Sequence, residues 1–212
     1  MTLQIYKYPR TFHLPWSPGR TSDDKVLSDT KCFKDKHIVV SIKMDGENTT
    51  MYNDHIHARS VDSKDHPSRH WVKGLWARKR YLIPEGWRVC GENLFARHSI
   101  TYDDLESYFL VFSIWRNSFC LPYWETRDLC DSWGFSYVPI IYNGFWLDDM
   151  ERFLDQRFKD SAAGHEGYVI RNYSGFDGEY FDQNVAKYVR QNHVQTSEHW
   201  LNQPVVPNKC KK

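Results

Sequence analysis

The chain has 212 residues, of which 41% are hydrophobic and 26% charged, and this composition predicts one soluble globular domain. Its 28 basic and 27 acidic side chains leave a net charge of +1, which excludes a general polyanion-binding surface and limits any nucleic-acid contact to a local patch. No apolar run is long enough for a membrane helix or typical of a secretory signal, and the five cysteines lack a C-x-x-C pair. We therefore expect a cytoplasmic protein with reduced thiols and no membrane contact.

In chain order, residues 1–30 are rich in turn-forming residues and predict an irregular N-terminal segment. Periodicity then predicts strands at 37–43, 49–52 and 55–60, a helix at 67–80, strands at 87–94 and 108–115, a helix at 122–133, a strand at 137–142, a helix at 147–158, and strands at 168–172 and 185–189. Residues 195–212 predict an extended C-terminal arm over the domain or a frayed end. Because strands outnumber helices and do not alternate with them, the fold class is α+β, a single domain over 1–212 with largely antiparallel sheets flanked by helices.

The strand at 37–43 delivers Lys43 to a tight turn formed by Asp45 and Gly46. A lysine becomes a nucleophile only when it loses its proton, and burial or nearby cations lower the pKa of an amine. At the edge of the predicted core Lys43 is therefore a candidate nucleophile. By itself, however, the K-x-D-G pattern is more typical of a hairpin turn flanked by a solvated lysine.

Four further residues follow in order along the predicted strands: Glu92, Phe112, Glu166 and Lys187. Carboxylates can bind ribose hydroxyls and a magnesium ion, an aromatic ring can stack on a purine, and a second lysine can hold a phosphate. Together with Lys43, the set suits a pocket for adenosine triphosphate. Taken singly, each member has a structural explanation as a surface carboxylate, a core phenylalanine or an exposed strand lysine.

With its motifs in this order, the segment from Ile38 to Arg190 resembles the covalent nucleotidyltransferases, which comprise polynucleotide ligases and RNA capping enzymes. The matching motifs are Lys43-x-Asp45-Gly46 (motif I), Ala58-Arg59-Ser60 (Ia), Gly91-Glu92 (III), residues 109–114 (IIIa), Glu166-Gly167 (IV) and Lys187 (V). Asn48 is similar to the asparagine of RNA ligases of the T4 RNA ligase 2 type, where DNA ligases usually carry arginine. The resemblance implies a small ATP-dependent RNA ligase with the nucleotidyltransferase, or adenylylation, fold, which is ATP-grasp-like.

This resemblance also implies a reaction. Lys43 would attack the α-phosphate of ATP to form lysyl-AMP, the AMP would pass to an RNA 5′-phosphate, and an RNA 3′-hydroxyl would displace it. ATP and Mg²⁺, with Mn²⁺ as a substitute, would be the cofactors, and the partner would be RNA with 5′-phosphate and 3′-hydroxyl ends in RNA repair.

The nucleotide-binding residues implied by the resemblance are Asp45, Gly46, Asn48, Arg59, Glu92, Phe112, Glu166 and Lys187. Phe112 would stack on adenine and Glu92 would bind the ribose hydroxyl. Lys187 would hold the α-phosphate and Arg59 the ribose or phosphate edge. Glu166 would be the carboxylate on the metal.

The chain also departs from the family pattern. Ile42 precedes Lys43 where some RNA ligases carry a glutamate that reads adenine, so base recognition falls to other groups. Many ligases carry a second lysine two positions after the first, as K-x-K. Here the next cation after Lys187 is Arg190, three positions further on, and it is a candidate phosphate contact. Only 25 residues follow Lys187, too few for an appended OB-fold, so RNA binding falls to this domain or to a protein partner.

Residues 64–81 carry six cations against one acid, interleaved with aromatic residues. Cations neutralise phosphates and aromatic rings stack on unpaired bases, so we expect Arg69, Lys73 and Arg78 to bind RNA. The alternative is a solvated amphipathic helix. Three other functions also stay open: a capping-type guanylyltransferase, a DNA ligase, and a catalytically idle RNA-binding module of the same fold.

Overall fold

A computed structural model describes residues 5–161, 165–191 and 204–211. The strands are β1 (Phe12–His13), β2 (His37–Lys43), β3 (Glu47–Met51), β4 (Ile56–Ala58), β5 (Trp87–Asn93), β6 (Phe109–Arg116), β7 (Phe119–Cys120), β8 (Ser136–Tyr137), β9 (Ile140–Phe145), β10 (Gly167–Asn172), β11 (Phe176–Asp177) and β12 (Val185–Val189). The helices are α1 (His70–Lys79), α2 (Tyr123–Trp133) and α3 (Met150–Ser161), with short 3₁₀ turns at Lys31–Phe33, Pro67–Arg69, Arg80–Leu82 and Gly178–Gln183. None of the helices in these ranges combines the length and apolar composition needed to cross a membrane.

A five-stranded sheet has the order β1-β12-β10-β2-β9, and all its pairs are antiparallel except β1 with β12. In this sheet Lys43 lies opposite Gly167, while Val169 lies between Ser41 and Lys187. Because neighbouring residues across strands share a face and side chains alternate along a strand, Lys43 and Lys187 point to the same side of the sheet.

The second sheet has the order β11-β7-β6-β5-β3-β4, with β8 parallel to β6. Asn48 on β3 lies opposite Glu92 on β5. A register shift between Cys90 and Gly91 leaves Phe112 as the additional residue on β6, a β-bulge. Bulges redirect side chains, and here the bulged strand presents the Phe112 ring to the space between the sheets.

Three buried clusters stabilise this arrangement. Helix α3 covers the outer face of the five-stranded sheet, where Leu154 packs with Val40 and Ile170. Helices α1 and α2 cover the outer face of the second sheet. A third cluster joins the two sheets and contains Tyr8, Cys90, Trp115, Cys120, Phe176, Phe181 and Val185. The inner faces of the sheets are thus packed at one end, and the cavity described below opens beside this packed region.

The predicted α+β class with largely antiparallel sheets is confirmed. Strands at 37–43 and 185–189 have the predicted bounds. The strand predicted at 137–142 instead forms two strands in different sheets, β8 and β9, because Pro139 between them cannot donate to a strand ladder. The two-residue strands β1, β7 and β11 were not predicted, because two residues carry no periodicity.

Both ends of the described chain are held against the domain. In the N-terminal segment, β1 pairs with β12, and Ser17 Oγ accepts the Val189 amide at 2.9 Å. Near the C-terminus, Asn208 is 2% exposed and its Nδ2 donates to the Leu94 carbonyl at 2.8 Å. Residues 204–211 therefore lie against the domain, and the rest of the segment predicted as an arm, 195–203 and 212, lies outside the described residues.

Candidate active site

A cavity of about 1010 Å³ is lined by residues of both sheets and of the N-terminal segment. This volume is in the range of small-molecule and nucleotide sites. The residues predicted from the sequence that line it are Lys43, Gly46, Asn48, Arg59, Arg69, Glu92, Phe112 and Lys187. Glu166 is not part of the lining, but it accepts a hydrogen bond from Lys43, which is.

Lys43 ends β2, and its Nζ donates to Glu166 Oε2 at 2.5 Å. The Lys43 side chain is 25% exposed and that of Glu166 is 9% exposed. Burial lowers the pKa of Lys43, but attraction by Glu166, Glu92 and Asp45 outweighs burial and raises it above the ordinary value. The expected depression of this pKa is therefore wrong for the protein without nucleotide, because three carboxylates converge on the amine.

Glu92 lies on β5 beside Lys43, and its pKa is raised to about 8. Burial is the main cause; Lys43 opposes the shift, while Glu166 and Asp45 add to it through repulsion. Burial therefore favours the protonated form of the Glu92 carboxyl. A protonated carboxyl both donates and accepts hydrogen bonds, which suits recognition of a hydroxyl group.

The turn between β2 and β3 is tightly packed against β5. A Cβ atom on Gly46 would lie 2.5 Å from the Asn93 carbonyl oxygen, so a larger residue would push the turn away from Glu92. Next to it, Asn48 lines the cavity, and its Oδ1 is buried with no partner among the described residues. Buried polar atoms normally have a partner, so this oxygen is free to accept a hydrogen bond from a ligand.

Asp45 occupies a different position from the one expected of a nucleotide ligand. Its Oδ2 accepts the amides of Ser99 and Ile100, both at 2.8 Å, and its own amide donates to Tyr102 Oη at 2.9 Å. Asp45 does not line the cavity among the described residues. The carboxylate thus fixes the loop at 99–102 behind the turn, and its negative charge acts on Lys43 from there.

The end of the cavity at Phe112 contains two residues that sequence reasoning missed, Tyr8 and Arg171. The Tyr8 ring meets Phe112 edge to face at 5.1 Å, and Tyr8 Oη accepts from Arg171 Nη2 at 3.2 Å. Arg171 is 7% exposed. The alternation of β10 could have identified Arg171, since it shares a face with Val169, but Tyr8 lies in a segment without periodicity.

Lys187 on β12 lines the cavity, and its Nζ lies 3.7 Å from Asp24 Oδ1. Burial lowers the pKa of Lys187, Lys43 lowers it further, and Asp24 and Glu166 oppose the shift. Arg59, exposed after β4, also borders the cavity. Sequence reasoning missed Asp24, because nothing in the sequence of the N-terminal segment indicates that this segment lies beside β12.

The three cations expected to bind RNA do not form one free basic patch. Arg69 pairs with Glu47 through two hydrogen bonds, one of them from Nε to Oε2 at 2.7 Å, and these side chains are only 12% and 11% exposed. Lys73 pairs with Asp65, and Arg78 is exposed about 140° further around α1. Glu47, which comes from another strand, pairs with Arg69, so the three cations do not share one exposed patch, and RNA binding by them stays a prediction. Helix α1 also buries an apolar face that includes Val72 and Leu75.

No three His, Cys, Asp or Glu side chains within the described ranges are arranged to hold a metal ion by themselves. Mg²⁺ is usually held by one or two carboxylates together with water and substrate phosphates. Glu166 and Glu92, which both act on Lys43, fit a site of that kind. A metal here would therefore need phosphate oxygens from a substrate to complete its ligands.

Two antiparallel sheets, with a strand-end lysine paired to a glutamate in a cavity between them, define a nucleotidyltransferase-type domain. Residues 36–189 match the family described as RNA ligase, and the chain belongs to that family.

The chain is also similar to solved structures of the Naegleria gruberi RNA ligase. One variant with ATP and Mn has 18% identity and a TM-score of 0.51, over 74% of this chain and 50% of that chain. An apo variant has 18% identity and a TM-score of 0.52 over the same shares, and one with AMP and Mn has 17% identity and a TM-score of 0.51 over 74% and 51%. This chain thus spans about half the length of these structures, and the similarity shows a shared fold. No curated protein matches the sequence.

Proposed function

We propose that this chain is an ATP-dependent RNA ligase that works through a covalent lysyl-AMP intermediate. One observation carries the proposal: the Lys43 amine is held 2.5 Å from Glu166 at a cavity that also contains Glu92, Phe112 and Lys187. Nucleophilic attack, ribose binding, base stacking and phosphate binding require groups of these kinds. Membership of the RNA ligase family supports RNA as the acceptor.

In the first step, the neutral amine of Lys43 attacks the α-phosphorus of ATP. A nitrogen–phosphorus bond forms, the bond between the α-phosphorus and its bridging oxygen breaks, pyrophosphate leaves with the electron pair, and the nitrogen releases its second proton to water. Lys187 and Arg59 lie at the same cavity and balance the charge of the phosphate oxygens. Phe112 stacks on the base, while Asn48 and Glu92 bind the ribose hydroxyls.

Before that attack, Lys43 has to lose a proton, and the raised pKa of Lys43 opposes this loss. Glu166 Oε2 already accepts the hydrogen bond from Nζ, so it is the atom placed to receive the proton. A divalent cation held by Glu166 and phosphate oxygens would supply positive charge that competes with the Lys43 ammonium and lowers its pKa. Pairing with Glu166 also fixes the amine in place before ATP arrives.

In the later steps, an RNA 5′-phosphate oxygen attacks the lysyl-AMP phosphorus, and the nitrogen–phosphorus bond breaks. An RNA 3′-hydroxyl then attacks the activated 5′-phosphate, and AMP leaves. Arg69 is held by Glu47 in a nearly buried pair, whereas the pair of Lys73 with Asp65 is exposed and therefore weak, so we assign RNA contact to Lys73 and Arg78, with a protein partner supplying further contacts. A role in RNA repair and a cytoplasmic location, in keeping with five unpaired cysteines, complete the proposal.

Intact mass measurement after incubation with ATP and Mg²⁺ tests the proposal. The wild-type protein should gain the mass of one AMP and lose it again when 5′-phosphorylated RNA is added. Lys43→Ala should gain nothing, whereas the control Lys34→Ala, at an exposed lysine, should be labelled normally. Labelling by GTP instead would support a guanylyltransferase, and release only by nicked DNA would support a DNA ligase. Folded wild-type protein without label would support the idle RNA-binding module.

A further inference from the structure

The N-terminal segment forms one wall of the cavity. Tyr8, Arg10 and Asp24 belong to the lining, and β1 lies beside β12 so that His13 is in register with Lys187. The Leu14 amide donates to the Lys187 carbonyl at 2.8 Å. This segment therefore has a fixed position relative to the strand that carries Lys187.

Asp24 is held firmly within this wall. Its Oδ2 accepts the amide and the hydroxyl of Thr21, both at 3.0 Å, and lies 3.3 Å from His13 Nε2. Its Oδ1 lies 3.5 Å from Arg10 Nη2 and 3.7 Å from Lys187 Nζ. The Asp24 and Lys187 side chains are 18% and 20% exposed. One carboxylate oxygen is therefore anchored, and the other meets Lys187 at the cavity.

Two cations and two carboxylates act on Lys187. Lys43 and Arg59 repel it, whereas Glu166 and Asp24 attract it, and Glu166 is already engaged by Lys43. His13 adds no charge at neutral pH, because burial and Lys187 lower its pKa to about 4. Within the described residues, the one ion pair of Lys187 is with Asp24. An anion that binds Lys187 therefore competes with Asp24 for the positive charge of the ammonium.

We infer that Asp24 is an internal counter-ion of the phosphate-binding lysine, occupying Lys187 in the free protein and giving way when a phosphate group binds. This inference rests on the proposed function, which makes Lys187 a phosphate ligand. Arg10, Thr21 and His13 keep Asp24 in place when Lys187 turns to the phosphate. Competition from Asp24 limits the affinity of Lys187 for any phosphate group that binds it.

Binding measurements separate this role from a merely structural one. Calorimetry measures binding of inorganic pyrophosphate and of the α,β-methylene analogue of ATP, which forms no adduct, to proteins that keep Lys43 and its pairing with Glu166. Adding Asp24→Asn should tighten both about twofold to fivefold, the range expected for a partly exposed ion pair. Asp23→Asn is the matched control, because Asp23 also contacts Arg10 and Thr21 but its side chain is 80% exposed and does not contact Lys187 in the described structure. This control should bind as the parent protein does.

Weaker or unchanged binding by folded Asp24→Asn protein would overturn the inference, since a residue with only a structural role can weaken a site but not strengthen it. Equal tightening by Asp23→Asn would also overturn it, because the effect would then be one of general charge. If the ATP analogue fails to bind while pyrophosphate binds more tightly to the Asp24→Asn protein, the counter-ion role stands and the proposed function fails. If the parent protein binds neither ligand, both fail.

Discussion

Burial disfavours the charged form of Glu92, and replacing this residue by glutamine should stabilise the protein without nucleotide. Its pKa is raised from 4.5 in the unfolded chain to about 8 in the fold, mainly by burial. The folded protein thus keeps a proton that the unfolded chain releases as pH rises above 4.5. Stability is consequently highest below pH 4.5 as far as Glu92 is concerned, and it falls until the pH reaches about 8.

The size of this effect follows from the same shift. Each pH unit within the window costs about 1.4 kcal/mol, so the full effect between pH 5 and 8 would be about 4 kcal/mol. Glu92 retains some contact with water, and Lys43 is close enough to share the charge, so we expect about half of that, about 2 kcal/mol. Glu92→Gln has a neutral side chain of the same shape and should lose this pH dependence.

Urea unfolding at pH 5, 6, 7 and 8 measures the difference in unfolding free energy between wild type and Glu92→Gln, in which the titrations of groups that do not interact with Glu92 cancel. The difference should be small at pH 5 and should grow in favour of the variant by about 2 kcal/mol at pH 8. Glu85→Gln, at an exposed carboxylate, should follow wild type at every pH. A difference that stays constant with pH, or that grows in favour of wild type, would refute the reasoning.

Two further substitutions test the base and the ribose contacts, and a third tests a buried ion pair. Phe112→Leu should weaken ATP binding about tenfold, because base stacking on an aromatic ring is worth about 1–3 kcal/mol. Phe112→Tyr keeps a ring and should bind ATP as wild type does. Equal losses of affinity for the two variants in calorimetry would contradict stacking. Asn48→Leu should weaken ATP binding about fivefold without lowering the urea midpoint, since Oδ1 has no partner to lose. Glu47→Gln should cost about 1–3 kcal/mol in urea unfolding, because Arg69 is left without its counter-charge, while exposed Asp128→Asn should cost nothing measurable.

Sequence periodicity predicted the long strands well because their burial alternates or is continuous. His37–Lys43 and Val185–Val189 are central to their sheet, so β-branched and aromatic residues fill them. The short strand Phe12–His13 could not be predicted, since its stability comes from pairing with a strand far away in sequence. The same limit applies to the split of residues 137–142 between two sheets.

The order of motifs along the chain indicated which residues the fold brings to one cavity. Lys43, Glu92, Phe112 and Lys187 all border one cavity, as their order along the chain indicated. The direction of the Lys43 pKa shift could not be predicted, because it depends on how many carboxylates the fold brings near the amine. Asp24 was overlooked for a related reason: its importance comes from a partner on the last strand rather than from its neighbours in sequence.

Pairing of β1 with β12 has a consequence for protein synthesis. Ser17 and Val189, which are joined by a hydrogen bond, lie 172 residues apart in the chain. The wall that carries Asp24 can therefore dock only after β12 has left the ribosome, and contacts of such long sequence separation form late in folding. An unfinished chain exposes Lys43 without the strand that holds Lys187, so truncated translation products should stay chemically inert.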